Sequence, residues 1–183
     1  MKKEIKLNSF VLYPIWLLIL LPNYWLILAA SIFIIQSIVL IGALKHLQFD
    51  DVPSVWRKSI LWNTFYGFLS YIVASGLFAI TLFVKSDNSV GQWFIANVSD
   101  PLVKNPFSNV FALLYALIVL FITGFLIFIA NRAISFRRTS LNALGVKKVS
   151  LYLAIFTTPY LLLLPSTRFY SSVIGMIQYL FIH

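Results

Sequence analysis

The chain has 183 residues, of which 61% are hydrophobic and 10% charged, and it carries a formal net charge of +9. Soluble domains average about 45–50% apolar and about 25% charged residues, so this composition argues against a soluble protein and favours one embedded in lipid. The chain contains no cysteine, which excludes disulfides, thiolate metal sites and a cysteine nucleophile. We therefore expect a single transmembrane domain over residues 1–183, built as an all-α helical bundle.

The first long run without a charged residue or histidine covers residues 7–44. As one helix it would be about 57 Å long, nearly twice the roughly 30 Å hydrocarbon core of a bilayer. It should therefore fold back on itself, and Pro22-Asn23 marks the break because proline has no N–H to donate within a helix. The run predicts helix 1 over residues 8–21 and helix 2 over residues 24–44.

Two further charge-free runs predict helix 3 over residues 59–84 and helix 4 over residues 108–131. Both are long enough to span with some tilt. Asp50 or Asp51 is a good N-cap residue and Pro53 suits the first turn, so helix 3 could begin before its charge-free part, near residue 52.

The C-terminal part, residues 149–183, would be about 51 Å long as one helix, which is too long for one crossing. We predict a second hairpin instead, with helices 5 and 6 turning at residues 165–168. The chain then has about six transmembrane helices, of which helices 1, 5 and 6 are short or re-entrant.

The positions of lysine and arginine predict the orientation, since cytoplasmic loops are enriched in these residues. With both termini in the cytoplasm, only Lys85, Lys104 and Arg168 fall outside. The inside set is much larger, and it consists of Lys2, Lys3, Lys6, Lys45, Arg57, Lys58, Arg132, Arg137, Arg138, Lys147 and Lys148. This bias predicts a bacterial-type cytoplasmic membrane and explains the positive charge without nucleic-acid binding.

Small and polar residues recur on faces of the predicted helices. Asn63, Gly67, Ser70 and Ala74 follow one another at intervals of four, three and four, and Ala112 and Ala116 share a face of helix 4. Small residues let helices approach closely, so helix packing explains Gly67, Ala74, Ala112 and Ala116. A second interpretation is a neutral polar pathway, which would be lined by Gln36, Asn63, Ser70 and Gln178.

Basic residues flank the predicted cytoplasmic ends of the helices. We expect them to contact the anionic inner leaflet or a cytoplasmic protein partner, although a solvated loop would have the same composition. The set comprises Arg57, Lys58, Arg132, Arg137, Arg138, Lys147 and Lys148.

Chemical motifs are sparse. His46, Asp50 and Asp51 lack further ligands at suitable spacing, so we predict no metal site and no cofactor. Ser75 has only His46 and His183 as imidazole partners, and no catalytic motif surrounds it. No catalytic residue is predicted, and an enzyme is disfavoured.

Three functional hypotheses follow. Proton- or ion-coupled pumps usually need charged groups at membrane depth, and none is predicted here. The leading hypothesis is a non-catalytic membrane component of a larger transport or cell-envelope assembly, with other membrane or cytoplasmic subunits as partners. The alternatives are an autonomous permease or channel for a small neutral solute, and an intramembrane enzyme.

Overall fold

The computed structural model describes residues 14–166, except for the side chain of Ile15. Within these residues the chain forms helices and turns and no strand, which confirms the all-α class. Predicted helix 6 and much of helix 1 lie outside the described residues, so the count of six helices stays a prediction.

Seven α-helices follow in chain order. They are α1 (Ile15–Leu20), α2 (Trp25–His46), α3 (Val52–Ile80), α4 (Ser89–Phe94), α5 (Asp100–Lys104), α6 (Val110–Ala130) and α7 (Ala143–Thr157). Four helical segments, counted with their short extensions, are long and apolar enough to cross a membrane: Pro22–His46, Val52–Phe83, Val110–Ser135 and Ala143–Leu163.

Local sequence signals explain where these helices begin. A 3-10 turn at Pro22–Tyr24 separates α1 from α2, as the proline predicts. Asp51 caps α3 by accepting a hydrogen bond from Ser54 N at 3.4 Å, so α3 begins at Val52 as expected. α7 corresponds to predicted helix 5 but begins six residues earlier than residue 149. Asn142 Oδ1 accepts a hydrogen bond from Gly145 N at 2.7 Å and so caps the helix at that point.

The four long helices pack as a ring, in which α2 and α6 each contact both α3 and α7. The connections 47–51 and 136–142 lie at one end of this ring, which we call the basic end. The connection 81–109, with α4 and α5, lies at the other end together with α1, and we call this the opposite end.

The described cations are divided unequally between the two ends. The opposite end has Lys85 and Lys104, whereas the basic end has Lys45, Arg57, Lys58, Arg132, Arg137, Arg138, Lys147 and Lys148. The asymmetry matches the sequence pattern, but which end faces the cytoplasm stays a prediction.

The buried apolar residues form two clusters, one in each half of the bundle. The opposite-end cluster contains Trp16, Ile19, Ile32, Tyr71, Ala74, Phe78, Val98, Leu102, Ala112, Ala116, Val119 and Leu162. The basic-end cluster contains Leu40, Leu44, Val55, Ile60, Ile127, Phe136, Val149, Leu153 and Ala154.

Candidate functional site: a polar layer inside the bundle

A layer of buried polar side chains separates the two apolar clusters. On α2, Gln36 lies between Ile32 of one cluster and Leu40 of the other, and on α6, Thr123 lies between Val119 and Ile127. Each long helix contributes at least one residue to this mid-level layer, which consists of Gln36, Asn63, Ser70, Thr123 and Thr157.

The layer lies near the middle of the predicted spans. Gln36 is ten residues from the end of α2 at His46, and Asn63 is eleven residues from the start of α3 at Val52. At 1.5 Å per residue these positions are about 15 Å and about 17 Å from the basic end. Half of a roughly 30 Å hydrocarbon core is a similar distance.

The hydroxyl groups of the layer are satisfied within their own helices. Ser70 Oγ donates to Tyr66 O at 2.8 Å, and Thr123 Oγ1 donates to Val119 O at 2.8 Å. Thr157 Oγ1 donates to Leu153 O at 2.6 Å. Serine and threonine reach the carbonyl one turn back in this way, so they can be buried at little cost.

The two amides of the layer cannot satisfy themselves in this way. Gln36 Nε2 donates to Thr157 Oγ1 at 3.0 Å, which joins α2 to α7. Gln36 Oε1 and both polar atoms of Asn63 have no hydrogen-bond partner among the described residues, and both side chains are 0% exposed. A buried unpaired polar group costs roughly 1–3 kcal/mol. The layer therefore has unused capacity to bind a hydrogen-bonding molecule.

Gly67 makes room for the Gln36 amide. A Cβ at position 67 would lie 2.6 Å from Gln36 Nε2 and 3.0 Å from Ile32 Cγ2. The side chain of Gln36 can therefore extend across the interface between α2 and α3 only because residue 67 has no side chain. Asn63 lies one turn from Gly67 on the same face of α3, toward the basic end.

A second polar group lies closer to the basic end. Ser135 Oγ donates to Asn131 Oδ1 at 2.7 Å within a π-helical turn, Asn131–Ser135, that packs against α3 and α7. Ser59 and Ser150 are also fully buried. Asn131 Nδ2 and Ser150 Oγ have no partner in the part of the chain that the structure describes. Single π turns are frequent at functional sites. We call these four residues, Ser59, Asn131, Ser135 and Ser150, the basic-end polar group.

The structure gathers three of the four pathway residues predicted from the sequence. Gln36, Asn63 and Ser70 lie in the layer, whereas Gln178 is outside the described residues. The predicted packing residues Gly67, Ala74, Ala112 and Ala116 are all buried. The seven basic residues predicted to meet lipid or a partner are all exposed.

Sequence reasoning missed the contributions of Thr157, Asn131, Ser135 and Ser150. A signal for two of them existed, because Ser150 and Thr157 are seven residues apart and so share a face of α7. No comparable spacing pointed to Asn131 and Ser135, because the sequence placed Asn131 at the end of predicted helix 4 and Ser135 in the basic loop that follows it.

The buried polar residues in the part of the chain that the structure describes are all uncharged. Every lysine, arginine, aspartate and histidine that the structure describes is exposed. Within the described residues no group of three or more His, Asp or Glu side chains could hold a metal ion. Ser75 is 23 residues, or about 34 Å, along α3 from Val52, whereas His46 is at the basic end, so these two do not form a catalytic pair.

An apolar groove lies on the outer surface of the bundle between α6 and α7, with a volume of about 410 Å³. Gly124 lies in it, next to Thr158. The remaining lining is aliphatic and aromatic, and it includes Leu117, Phe121, Phe125, Phe128, Leu151 and Ile155.

Comparison of the chain with protein-family models, with curated proteins and with solved structures found no match.

Proposed function

We propose that this chain is a permease or channel for a small neutral solute that hydrogen-bonds to the mid-level layer. The observation that supports this proposal is the pair of fully buried amides, Gln36 and Asn63, with three unpaired polar atoms at the depth of the layer. Pure helix packing would not need these groups, because an apolar side chain of similar volume avoids the cost of unpaired atoms.

The lack of buried charge among the described residues argues for passive movement of the solute. Charged groups inside a membrane protein usually mark proton or ion pathways. A buried layer of amides and hydroxyls instead replaces some of the hydrogen bonds that a neutral solute loses when it leaves water.

Purified protein reconstituted into liposomes tests this proposal. Shrinkage and re-swelling of the vesicles after mixing with a neutral solute gives its permeability, and we expect it to exceed that of protein-free vesicles. Asn63→Leu should abolish the increase without unfolding the protein, because leucine branches at Cγ as asparagine does and has no polar atom. Gln92→Leu is the matched control, since Gln92 is an exposed amide in the connection 81–109. Transport retained in Asn63→Leu would contradict the proposed pathway.

A second candidate is a non-catalytic subunit of a larger transport or cell-envelope assembly. The groove between α6 and α7 favours it, because an apolar groove with a glycine at its wall can receive side chains of a neighbouring transmembrane helix. Purification in mild detergent followed by mass spectrometry distinguishes the candidates. A stoichiometric protein partner supports the subunit, and a chain that purifies alone supports the permease.

We also propose that the protein is in a bacterial-type cytoplasmic membrane with its basic end in the cytoplasm, next to the anionic inner leaflet. The distribution of the described cations supports this orientation. The chain has no native cysteine, so a single cysteine at exposed Ser140 reports the side directly. Labelling of intact spheroplasts by an impermeant thiol reagent would contradict the orientation.

A further inference from the structure

The hydrogen bonds of Thr157 determine how the Gln36 amide is oriented. Leu153 O can only accept, so Thr157 donates its single hydroxyl proton to that carbonyl, 2.6 Å away. The same oxygen, 3.0 Å from Gln36 Nε2, must then accept from the amide. A flipped amide would place two acceptors against each other. Gln36 therefore directs its NH₂ group to Thr157 and leaves its carbonyl oxygen free.

Gly67 restricts the same amide from the other side. A Cβ atom at position 67 would be only 2.6 Å from Gln36 Nε2, so the NH₂ group contacts the backbone of Gly67 on one side and Thr157 on the other. The free Oε1 is thus a positioned acceptor rather than one of two interchangeable atoms.

Asn63 adds a carbonyl oxygen and an NH₂ group one turn away on α3 from Gly67, which Gln36 contacts. The two residues are four positions, or about 6 Å, apart along α3, and both polar atoms of Asn63 are free among the described residues. The site therefore offers two carbonyl oxygens and one NH₂ group, so its ligand must supply more N–H or O–H donors than acceptors.

We propose that the ligand of the layer is a small primary amide or urea, an inference that rests on the proposed permease function. An amide pairs with the carbonyl and NH₂ of Asn63 through two parallel hydrogen bonds, and a further N–H of the ligand donates to Gln36 Oε1. A polyol of similar size must order several rotatable hydroxyls to make the same bonds, which costs conformational entropy. An ion would lose its hydration without meeting an opposite charge among the described buried residues.

The experiment compares the protein-dependent permeability of urea and acetamide with that of glycerol in the reconstituted vesicles. We expect the two amides to exceed glycerol by about tenfold, which corresponds to roughly 1.4 kcal/mol. Asn63→Leu, which is expected to abolish the protein-dependent permeability, should do so for all three solutes. Thr157→Val provides a second variant. It removes the acceptor for Gln36 Nε2, so the amide can rotate and the preference should fall while total glycerol permeability persists.

The outcomes separate the two proposals. Glycerol permeability equal to or above that of the amides overturns the amide preference and leaves the permease intact. No protein-dependent permeability for any of the three solutes overturns the permease and this inference with it. An amide preference that is unchanged in Thr157→Val, with thermal unfolding showing that the variant is folded, also overturns the assigned contacts. Gln92→Leu should keep the full preference.

Discussion

The two sides of the mid-level layer differ in their buried aromatic side chains, since one cluster contains Trp16, Tyr71 and Phe78 and the other contains Phe136. At the opposite end, Trp16 is 1% exposed, donates from Nε1 to Leu102 O at 3.2 Å and meets Phe78 edge to face at 5.8 Å. At the basic end, the interior includes the basic-end polar group of hydroxyls and an amide. Buried hydroxyls also occur toward the opposite end, at Ser75, Thr81 and Ser99, so the feature that distinguishes that end is its closure by the buried Trp16 of α1.

The connections differ in the same direction. The opposite end is covered by α1 and by the connection 81–109, whose Val98 and Leu102 are buried in the apolar cluster. The two basic-end connections are short, and side-chain caps at Asp51 and Asn142 define the helix starts there. Side-chain caps occur at both ends, since Asn88 and Asn109 cap α4 and α6 at the opposite end, so the main difference is the burial of large side chains by the connection 81–109.

The largest expected effect on stability is at Trp16, the buried aromatic residue of α1. Trp16→Ala removes a fully buried ring and should lower the free energy of unfolding by about 3–5 kcal/mol, the usual loss for a large aromatic side chain in a core. Thermal unfolding in detergent measures it. Trp62→Ala is the control, because Trp62 is 48% exposed on α3. Equal losses for both variants would show that α1 does not close the opposite end.

A smaller effect is expected where Gln36 crosses α3. Gly67→Ala should lower the free energy of unfolding by about 1–3 kcal/mol, because the new methyl group overlaps Gln36 Nε2 and Ile32. Gly76→Ala is the matched control, since a Cβ there meets nothing within 4 Å. Alanine has the higher helix propensity by about 1 kcal/mol, so the control should be neutral or stabilising. If Gly67→Ala has the same free energy of unfolding as the unmodified protein, α2 and α3 do not pack closely at Gly67.

The local caps of the basic end should contribute less. Asp51→Ala should cost about 1 kcal/mol, because it removes the acceptor for Ser54 N at the start of α3. Asp50→Ala removes the same charge next to it and should leave the unfolding midpoint nearly unchanged. If the two variants unfold alike, charge rather than capping determines stability at this end.

The smallest effect is expected in the basic-end polar group, and it has the opposite sign. Ser150→Ala should raise the free energy of unfolding by up to about 1 kcal/mol, because the hydroxyl is fully buried without a partner among the described residues. Ser140→Ala, at an exposed position of the same end, should change nothing measurable. A clear loss of stability in Ser150→Ala would mean that the hydroxyl is hydrogen-bonded in the folded protein.

The amino-acid sequence by itself determined the class of the protein and the main helices. Long charge-free runs require lipid around them, and Pro22 and Asp51 set local boundaries through backbone chemistry, so α2, α3 and α6 could be predicted nearly to their ends. The start of α7 was missed, because the charges of Lys147 and Lys148 hid a capped helix that carries them on its exposed side.

Tertiary structure alone decided which polar residues share a level. The spacing on α3 put Asn63, Gly67 and Ser70 on one face, but it could not show that Gln36 meets Gly67 or that Thr157, 121 residues away, holds its amide. Such contacts depend on how far each helix is shifted and rotated against its neighbours. Side-chain packing between helices sets that register, and the period of a single helix contains no information about it.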